Sequence, residues 1–402
     1  MSMKPARRTV AIVAAVSVLV AMAAMAYIAR SGQSHRPPAA APAPTVTLEA
    51  QAYAEDIVGG MVAARLAALQ AHDLEAYMAL IDERDTEYYT EQRNWYLLFQ
   101  DADTSDYSVQ VLEADFTEDD TIIARLRQHY LLGPQKEDRT IDSENRFVLT
   151  DAGWKDADLN FSMKETPHFV IKYPAQAGEQ AVQVGEAAEL AYSSVKQELG
   201  LEPRTKPTIK MYATKEMLRE STDIRIAYLF NGWGERGESI KMYAYRSGNL
   251  PNLLAHELVH KTTLEITGSQ PSWFAEGLAT CFGNWPFAGG NALEMGSSSL
   301  EDLTRPVSWL ETQDLTQIED DDTRGTFYDM SGMIVQFTAE TYGLDKLQAV
   351  LHELAEFPES GRGYDYSMEP ELQSRLYQSI EQVIGLDRAA FNEAWLGWIA
   401  SQ

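Results

Sequence analysis

The chain has 402 residues, enough for two folded domains, and its 60 acidic and 33 basic residues give a formal net charge of -27 at pH 7. This charge argues against nucleic acid as a partner, because phosphate binding needs clustered basic side chains. The only cysteine is Cys281, which excludes an intrachain disulfide and a thiolate zinc cluster, so any metal site has to use histidines and carboxylates.

The first predicted element is an uncharged apolar run, from Val10 to Ala29, that follows a basic N-terminus. At about 1.5 Å per residue this run is long enough to cross the apolar core of a bilayer. We therefore predict that residues 1–30 are a transmembrane anchor and residues 31–47 a linker rich in proline and alanine. The protein would then be a single-pass protein of the cell membrane, with its folded domains outside the cytoplasm. Because Ala24-Met25-Ala26 fits a cleavage site, a signal peptide and a secreted protein remain the alternative.

Residues 48–163 are predicted to form an α+β domain, because helical spacing comes first and short β-rich runs follow. The runs are separated by polar turns and lie at Tyr107–Val111, Ile122–Leu126 and Arg146–Leu149. This order, with Asp73–Tyr77 in the second helix and Gly153–Lys155 ending a late strand, resembles the cone-shaped NTF2-like fold. No convergent set of histidine, aspartate or cysteine is found there, so a spacer or docking module is favoured over a ligand site.

Residues 164–402 are predicted to form a second domain, with a small mixed sheet packed on helices. Its strand signals lie at His168–Tyr173, Thr208–Tyr212 and Ile240–Ala244. A glycine-rich turn at Asn231–Gly237 precedes the last of them. Beyond Leu250 the spacing of the apolar residues is almost wholly helical, which predicts a helical C-terminal lobe.

The helix expected after Leu250 carries an HExxH pattern, which runs from His256 through Glu257 to His260. A spacing of four residues places both imidazoles on one face of a helix, where they supply half of a tetrahedral zinc shell. Glu257 follows the first histidine directly and can reach a water on the metal. The helix has the expected limits, since Pro251 suits its first turn and Gly268 its end. The alternative is a surface helix whose histidines do no chemistry.

Glu276 is predicted to be the third metal ligand. It is the single charged residue of a second apolar helix, which begins near Pro271 after a tight turn. Two helices joined in this way pack antiparallel, which brings Glu276 against the histidine face, and the small Gly277 permits the close approach. The rival ligand, Glu265, is rotated to the far side of the HExxH helix, because it lies five residues after His260.

Two families of zinc peptidases can be distinguished by these residues. A metzincin site would need glycine and histidine where the chain has Thr263 and Ile266, so that family is excluded. Leu254–His260 together with Trp273–Ala279 instead resembles the gluzincin class, specifically the peptidase MA-like bacterial proteins. The resemblance continues through Tyr328–Ser331 and covers the second predicted domain.

The resemblance implies a thermolysin-like fold, Zn2+ as the cofactor and a peptide or protein as the substrate. It also implies that Tyr328 donates a hydrogen bond to the oxyanion of the reaction intermediate, although core packing explains this tyrosine nearly as well. Tyr243, Tyr245, Tyr342 and His352 are other possible donors. The strand Ile240–Ala244 precedes the HExxH helix, where gluzincins usually place the edge strand that pairs with an extended substrate, and an ordinary sheet strand is the equally favoured alternative.

The function expected from the sequence is therefore that of a membrane-anchored zinc metallopeptidase with His256, His260 and Glu276 as metal ligands. Glu257 is the expected general base, which takes a proton from the zinc-activated water and passes it to the leaving amine. An endopeptidase is favoured, because no Gly-x-Met-Glu-Asn-like exopeptidase signature precedes the HExxH helix. The alternative is a catalytically silent, peptidase-like binding protein of the cell envelope. The sequence indicates no oligomeric state.

Overall fold

Two small β-sheets and a larger set of helices make up the described part of the chain, which confirms the α+β class. The computed structural model describes residues 48–117, 120–226, 229–245, 248–288, 298–358 and 366–402. The predicted anchor and the predicted linker, which together cover residues 1–47, lie outside the described residues.

The membrane prediction has to be corrected. Within the described residues, no helix combines the length and the apolar character that crossing a bilayer requires. The structure therefore supplies no helix for the predicted membrane contact or for the predicted cell-membrane localisation. The run from Val10 to Ala29, on which both rested, is among the residues that are not described.

Three helices open the described chain: α1 (Leu48–Gln70), α2 (Leu74–Met78) and α3 (Thr86–Asp101). Asp73 caps α2, since its carboxylate accepts a hydrogen bond from a backbone N–H in the first turn of that helix. Asp85 caps α3 in the same way. Such caps satisfy amide groups that have no partner inside the helix, and so they fix where each helix begins.

A four-stranded antiparallel sheet follows these helices, and its strands are neighbours in chain order, which makes it a β-meander. The strands are longer than their apolar runs suggested, and they are β1 (Thr104–Phe116), β2 (Thr121–Leu132), β3 (Glu137–Thr150) and β4 (Gly153–Leu159). Helix α1 packs on this sheet, because Ala54, Val58 and Val62 recur every four residues and form one buried face.

A five-stranded mixed sheet forms the centre of the second half, in the order β5-β6-β7-β9-β8. Its strands are β5 (Ser162–Glu165), β6 (Val170–Tyr173), β7 (Thr208–Tyr212), β8 (Gly232–Trp233) and β9 (Ile240–Tyr243). The expected position of the strand Ile240–Ala244 at the sheet edge is wrong, because β9 pairs with β7 on one side and with β8 on the other. The two-residue strand β8 is the edge strand on that side.

Helices make up most of the chain around and after this sheet. They are α4 (Gly178–Glu198), α5 (Lys215–Glu220), α6 (Leu250–Thr267), α7 (Ser272–Ala288), α8 (Leu300–Leu303), α9 (Ser308–Glu311), α10 (Asp321–Tyr342), α11 (Leu344–Leu354), α12 (Glu369–Ile384) and α13 (Arg388–Ile399). Their buried apolar faces share one core with the five-stranded sheet, and Trp273, Trp395 and Phe327 are among its largest fully buried side chains. In this core α7 packs against α6 and also against α10.

Helix α3 joins the two halves through polar contacts. Its Glu91 forms a buried ion pair with Lys210 of β7, at 2.5 Å between Oε2 and Nζ. One turn later, the side-chain amide of Asn94 donates to Glu238, which precedes β9, at 2.7 Å. Because these groups are buried, their hydrogen bonds are needed to offset the loss of water. The contacts therefore hold α3 in a defined position beside the second half.

Candidate metal centre

Helix α6 carries both histidines of the HExxH pattern, and its ends lie where the sequence placed them. Asn249 caps its first turn, Pro251 stands in that turn, and Gly268 ends the helix with a φ of 76°. A positive φ is easily adopted by glycine, which explains why the helix ends there. As expected from the spacing of four, His256 and His260 lie side by side on one face, with 3.2 Å between their Nε2 atoms.

Glu276 of α7 completes a cluster with the two histidines. Its Oε2 atom lies 3.2 Å from Nε2 of His256 and 3.4 Å from Nε2 of His260. Zinc binds such atoms at about 2.0 to 2.2 Å, and the edge of a tetrahedron of that size is about 3.3 Å. The three ligand atoms therefore already have the mutual spacing that one shared metal ion requires, and these are the residues that the sequence predicted.

The electrostatics of this cluster also fit a cation. Burial alone would raise the pKa of Glu276, but the imidazoles of His260 and His256 outweigh burial and hold this pKa well below its ordinary value. The carboxyl group is thus ionised in an interior position, where an unpaired negative charge is unfavourable. Two neutral imidazoles and one carboxylate form the ligand set of many catalytic zinc sites.

A glycine allows the close approach of α7 to α6, but it is not the one that the sequence suggested. A methyl group added at Gly283 would lie 2.6 Å from the backbone nitrogen and Cα of His256. At Gly277 the added methyl would instead lie 2.5 Å from the carbonyl oxygen of Ser331, in α10. Gly277 therefore serves the packing of α7 on α10, and Gly283 brings α7 onto α6.

Glu257 lies beside the cluster and against the edge strand. The side chain is buried, and a methyl group added at Gly232 in β8 would overlap with its carboxylate. At Gly234 the added methyl would lie 3.0 Å from the carbonyl oxygen of Glu257 and 3.1 Å from Cβ of His260. A side chain at either position would crowd Glu257, so backbone at and just after the edge strand lies directly beside the expected general base.

A cavity of about 460 Å³ contains this arrangement, and the two histidines, Glu257 and Glu276 all line it. Tyr328 of α10 lines it too, with its ring centre 6.3 Å from that of His256. The other expected oxyanion donors, Tyr243, Tyr245, Tyr342 and His352, are absent from its described lining. All five residues predicted for the site therefore meet at one cavity.

The opposite wall of the cavity comes from α3 and from the segment after β8. Thr90, Arg93 and Asn94 of α3 line it, together with Glu235 and Arg236. Burial and the neighbouring Glu238 raise the pKa of the Glu235 carboxyl to about 7. Sequence reasoning missed this wall, because nothing in the local pattern of α3 indicates contact with a segment more than a hundred residues later.

No family model matches this chain, and no curated protein matches it. The assignment of a function therefore rests on the geometry of the cavity.

That geometry also excludes the rival ligand, since Glu265 accepts a hydrogen bond from the backbone of Arg204 at 3.0 Å and lies 3.5 Å from Nζ of Lys261. Lys261, directly after His260, is buried and bonded to Glu87 of α3 at 2.9 Å.

Proposed function

We propose that the protein is a zinc-dependent metallopeptidase. The observation that carries the proposal is the spacing of 3.2 to 3.4 Å among the Nε2 atoms of His256 and His260 and the Oε2 atom of Glu276. These three residues would hold the ion, and three protein ligands are the number found in catalytic zinc sites. Structural zinc sites, by contrast, are closed by a fourth protein ligand.

The residues around the cluster have complementary tasks in peptide hydrolysis. A bound zinc ion supplies Lewis acidity toward a water and toward the scissile carbonyl. Glu257 takes the proton of the attacking water and delivers it to the departing amine, for which a carboxylate beside the cluster is suited. Tyr328 donates its hydroxyl proton in a hydrogen bond to the carbonyl oxygen as negative charge develops there.

The edge strand supports a peptide as the substrate. An extended peptide can add to a sheet edge through backbone hydrogen bonds, and β8 offers such an edge directly beside Glu257. A cavity of about 460 Å³ is also within the range of ligand sites. We propose β8 in place of β9 as the strand that aligns the substrate, with cleavage inside the peptide chain as the favoured reaction.

The finer fold assignment belongs to the same proposal. We propose an NTF2-like arrangement for the first half and a gluzincin-type peptidase for the second, supported by the meander after the helices and by the two helices that carry the ligands. A binding protein that recognises small molecules through its first half is less favoured. The cavity there measures about 110 Å³, below the usual range of ligand sites.

Metal content tests the proposal first. The purified protein is expected to contain one zinc ion per chain by mass spectrometry, and the ion is expected to be lost or greatly weakened in His256→Ala and in Glu276→Ala. His352→Ala and Glu265→Gln serve as matched controls, because neither side chain belongs to the cluster. A parent protein that stays free of metal after incubation with zinc would contradict the proposed site.

Measurement of peptide hydrolysis tests the role of Glu257. Glu257→Gln is expected to keep its zinc and to lose hydrolysis of a fluorogenic peptide library by about two to four orders of magnitude, since a general base contributes about that much. If this variant cleaves peptides at the rate of the parent, Glu257 is not the base.

A further inference from the structure

One wall of the metal cavity is supplied by the first half of the chain. Arg93 and Asn94 lie three and four residues after Thr90 on α3, so both are neighbours of Thr90 on the helix surface, and all three residues line the cavity. The hydrogen bond from Asn94 to Glu238, at 2.7 Å, fixes this part of α3 against the second half. The guanidinium of Arg93 is therefore carried on a rigid element.

The segment after β8 brings a second arginine to the same wall. A methyl group added at Gly237 would lie 3.2 Å from Cγ2 of Thr90, so this turn packs directly on α3. Arg236, the residue before that glycine, also lines the cavity. Both arginines are half-buried, and both have interactions within the protein. A guanidinium has five N–H donors in a planar fork, and both of these side chains line the cavity that contains the histidine cluster.

The charge of this wall differs from that of the molecule. Apart from the ligand cluster and Glu257, the charged side chains in the described lining are Arg93, Arg236 and Glu235. Glu235 is half-ionised near neutral pH, because burial and Glu238 raise its pKa to about 7. The wall is therefore positive in a chain whose formal net charge is -27. Clefts with one sign of charge attract ligands of the other sign.

We propose that Arg93 and Arg236 bind a carboxylate of the substrate, so that the first half of the chain selects negatively charged peptides for the metal centre. This inference rests on the proposed peptidase function. Planar guanidinium groups bind carboxylates through two parallel hydrogen bonds, which gives geometric selectivity as well as affinity. The carboxylate is either an acidic side chain of the peptide or its C-terminus.

Three short peptides of otherwise identical sequence separate these two sources. The first has a glutamate side chain and blocked ends, the second has glutamine in its place and blocked ends, and the third has glutamine and a free C-terminus. Binding to the full-length protein is measured by calorimetry with and without EDTA. Because a carboxylate could also be captured by bound metal, only a preference that persists in EDTA belongs to the arginines.

The first or the third peptide is expected to bind roughly tenfold or more tightly than the second, since a hydrogen bond to a charged group contributes about that much. Arg93→Gln and Arg236→Gln are expected to remove this preference. Arg93→Lys keeps the positive charge but lacks the planar guanidinium group, and this variant is expected to retain part of the preference for the carboxylate. Arg127→Gln, on the exposed side of the four-stranded sheet, is the control and is expected to change nothing.

The outcomes separate this inference from the proposed function. Equal binding of the three peptides, no binding of any, or a preference that survives both glutamine substitutions would overturn the role of the arginines. A carboxylate preference in a protein that hydrolyses none of the peptides would support the arginines and refute the peptidase. Equal kcat/KM for all three peptides would leave the peptidase intact and refute the selection.

Discussion

Glu235 is a half-buried acid whose ionisation opposes folding. Its pKa is raised to about 7 by burial and by Glu238, whereas an unfolded glutamate titrates at about 4.3. Between these values the folded protein binds a proton that the unfolded chain has released, so the free energy of unfolding decreases as the pH rises through this window. Well above pH 7 the carboxylate is ionised in both states, and the free energy of unfolding decreases no further on account of Glu235.

Glu235→Gln is expected to remove this pH-dependent decrease in the free energy of unfolding. The stability of the variant relative to the parent should rise by about 1 to 3 kcal/mol between pH 5 and pH 8, since each unit of pKa shift corresponds to about 1.4 kcal/mol and partial exposure reduces the effect. Urea unfolding of both proteins at several pH values, in EDTA, measures this difference. A difference that does not vary with pH would show that Glu235 titrates normally.

Single residues of the cluster of His256, His260 and Glu276 could be predicted because their signals are local. The spacing of His256 and His260 depends only on the helical repeat, and Pro251 and Gly268 mark the ends of the helix by backbone geometry. Glu276 was found because a lone carboxylate in an apolar helix needs a partner. The glycine that brings α7 onto α6 could not be assigned in this way, because its role depends on which helix each side of α7 faces.

The packing of α7 on α6 is the element on which the geometry of the cluster depends. Gly283→Ala places a methyl group 2.6 Å from the backbone of His256, and backbone atoms cannot rotate away as a side chain can. Overpacking of this kind costs about 1 to 3 kcal/mol. We expect that loss of stability in chemical unfolding, together with weaker zinc binding because His256 is displaced.

Gly60→Ala provides the matched control for this substitution. Gly60 also lies inside a long helix, α1, but a methyl group added there meets nothing within 4 Å. Replacing an exposed helical glycine with alanine is expected to stabilise the protein by about 0.5 to 1 kcal/mol. If both substitutions stabilised the protein equally, the close approach of α7 to α6 would be refuted.

The elements that the sequence missed are those defined by distant partners. Strand β8 consists only of Gly232 and Trp233, and Gly234 follows it. Such a short segment shows no alternation of apolar and polar side chains. Only its pairing with β9 makes it a strand, and this pairing moves β9 from the edge to the inside of the sheet. Helix α3 was likewise invisible as a wall of the cavity, because its contact with Glu238 crosses 144 positions of the chain.

At the scale of the whole molecule, residues 48–402 form one compact unit, and buried ion pairs hold its two halves together. Lys210 is fully buried and lies 2.5 Å from Glu91 and 2.7 Å from Asp158, both from the first half. Burial alone would raise the pKa of Glu91, but Lys210 and Lys241 outweigh it and keep this pKa below its ordinary value. The pair is therefore ionised, and its strength depends on both members being present.

Lys210→Met is expected to lower the free energy of unfolding by about 3 to 5 kcal/mol, because it leaves Glu91 as a buried charge without its lysine partner. The double variant Glu91→Leu/Lys210→Met should recover much of this loss, since Asp158 keeps its ion pair with Lys172 at 3.0 Å. Lys196→Met, which removes an exposed pair of 2.6 Å with Glu202, should cost less than about 1 kcal/mol. Urea unfolding of these variants measures the three values. If the double variant were as unstable as Lys210→Met, the loss would come from packing around the lysine stem, and the ion pair would not be what joins α3 to the sheet.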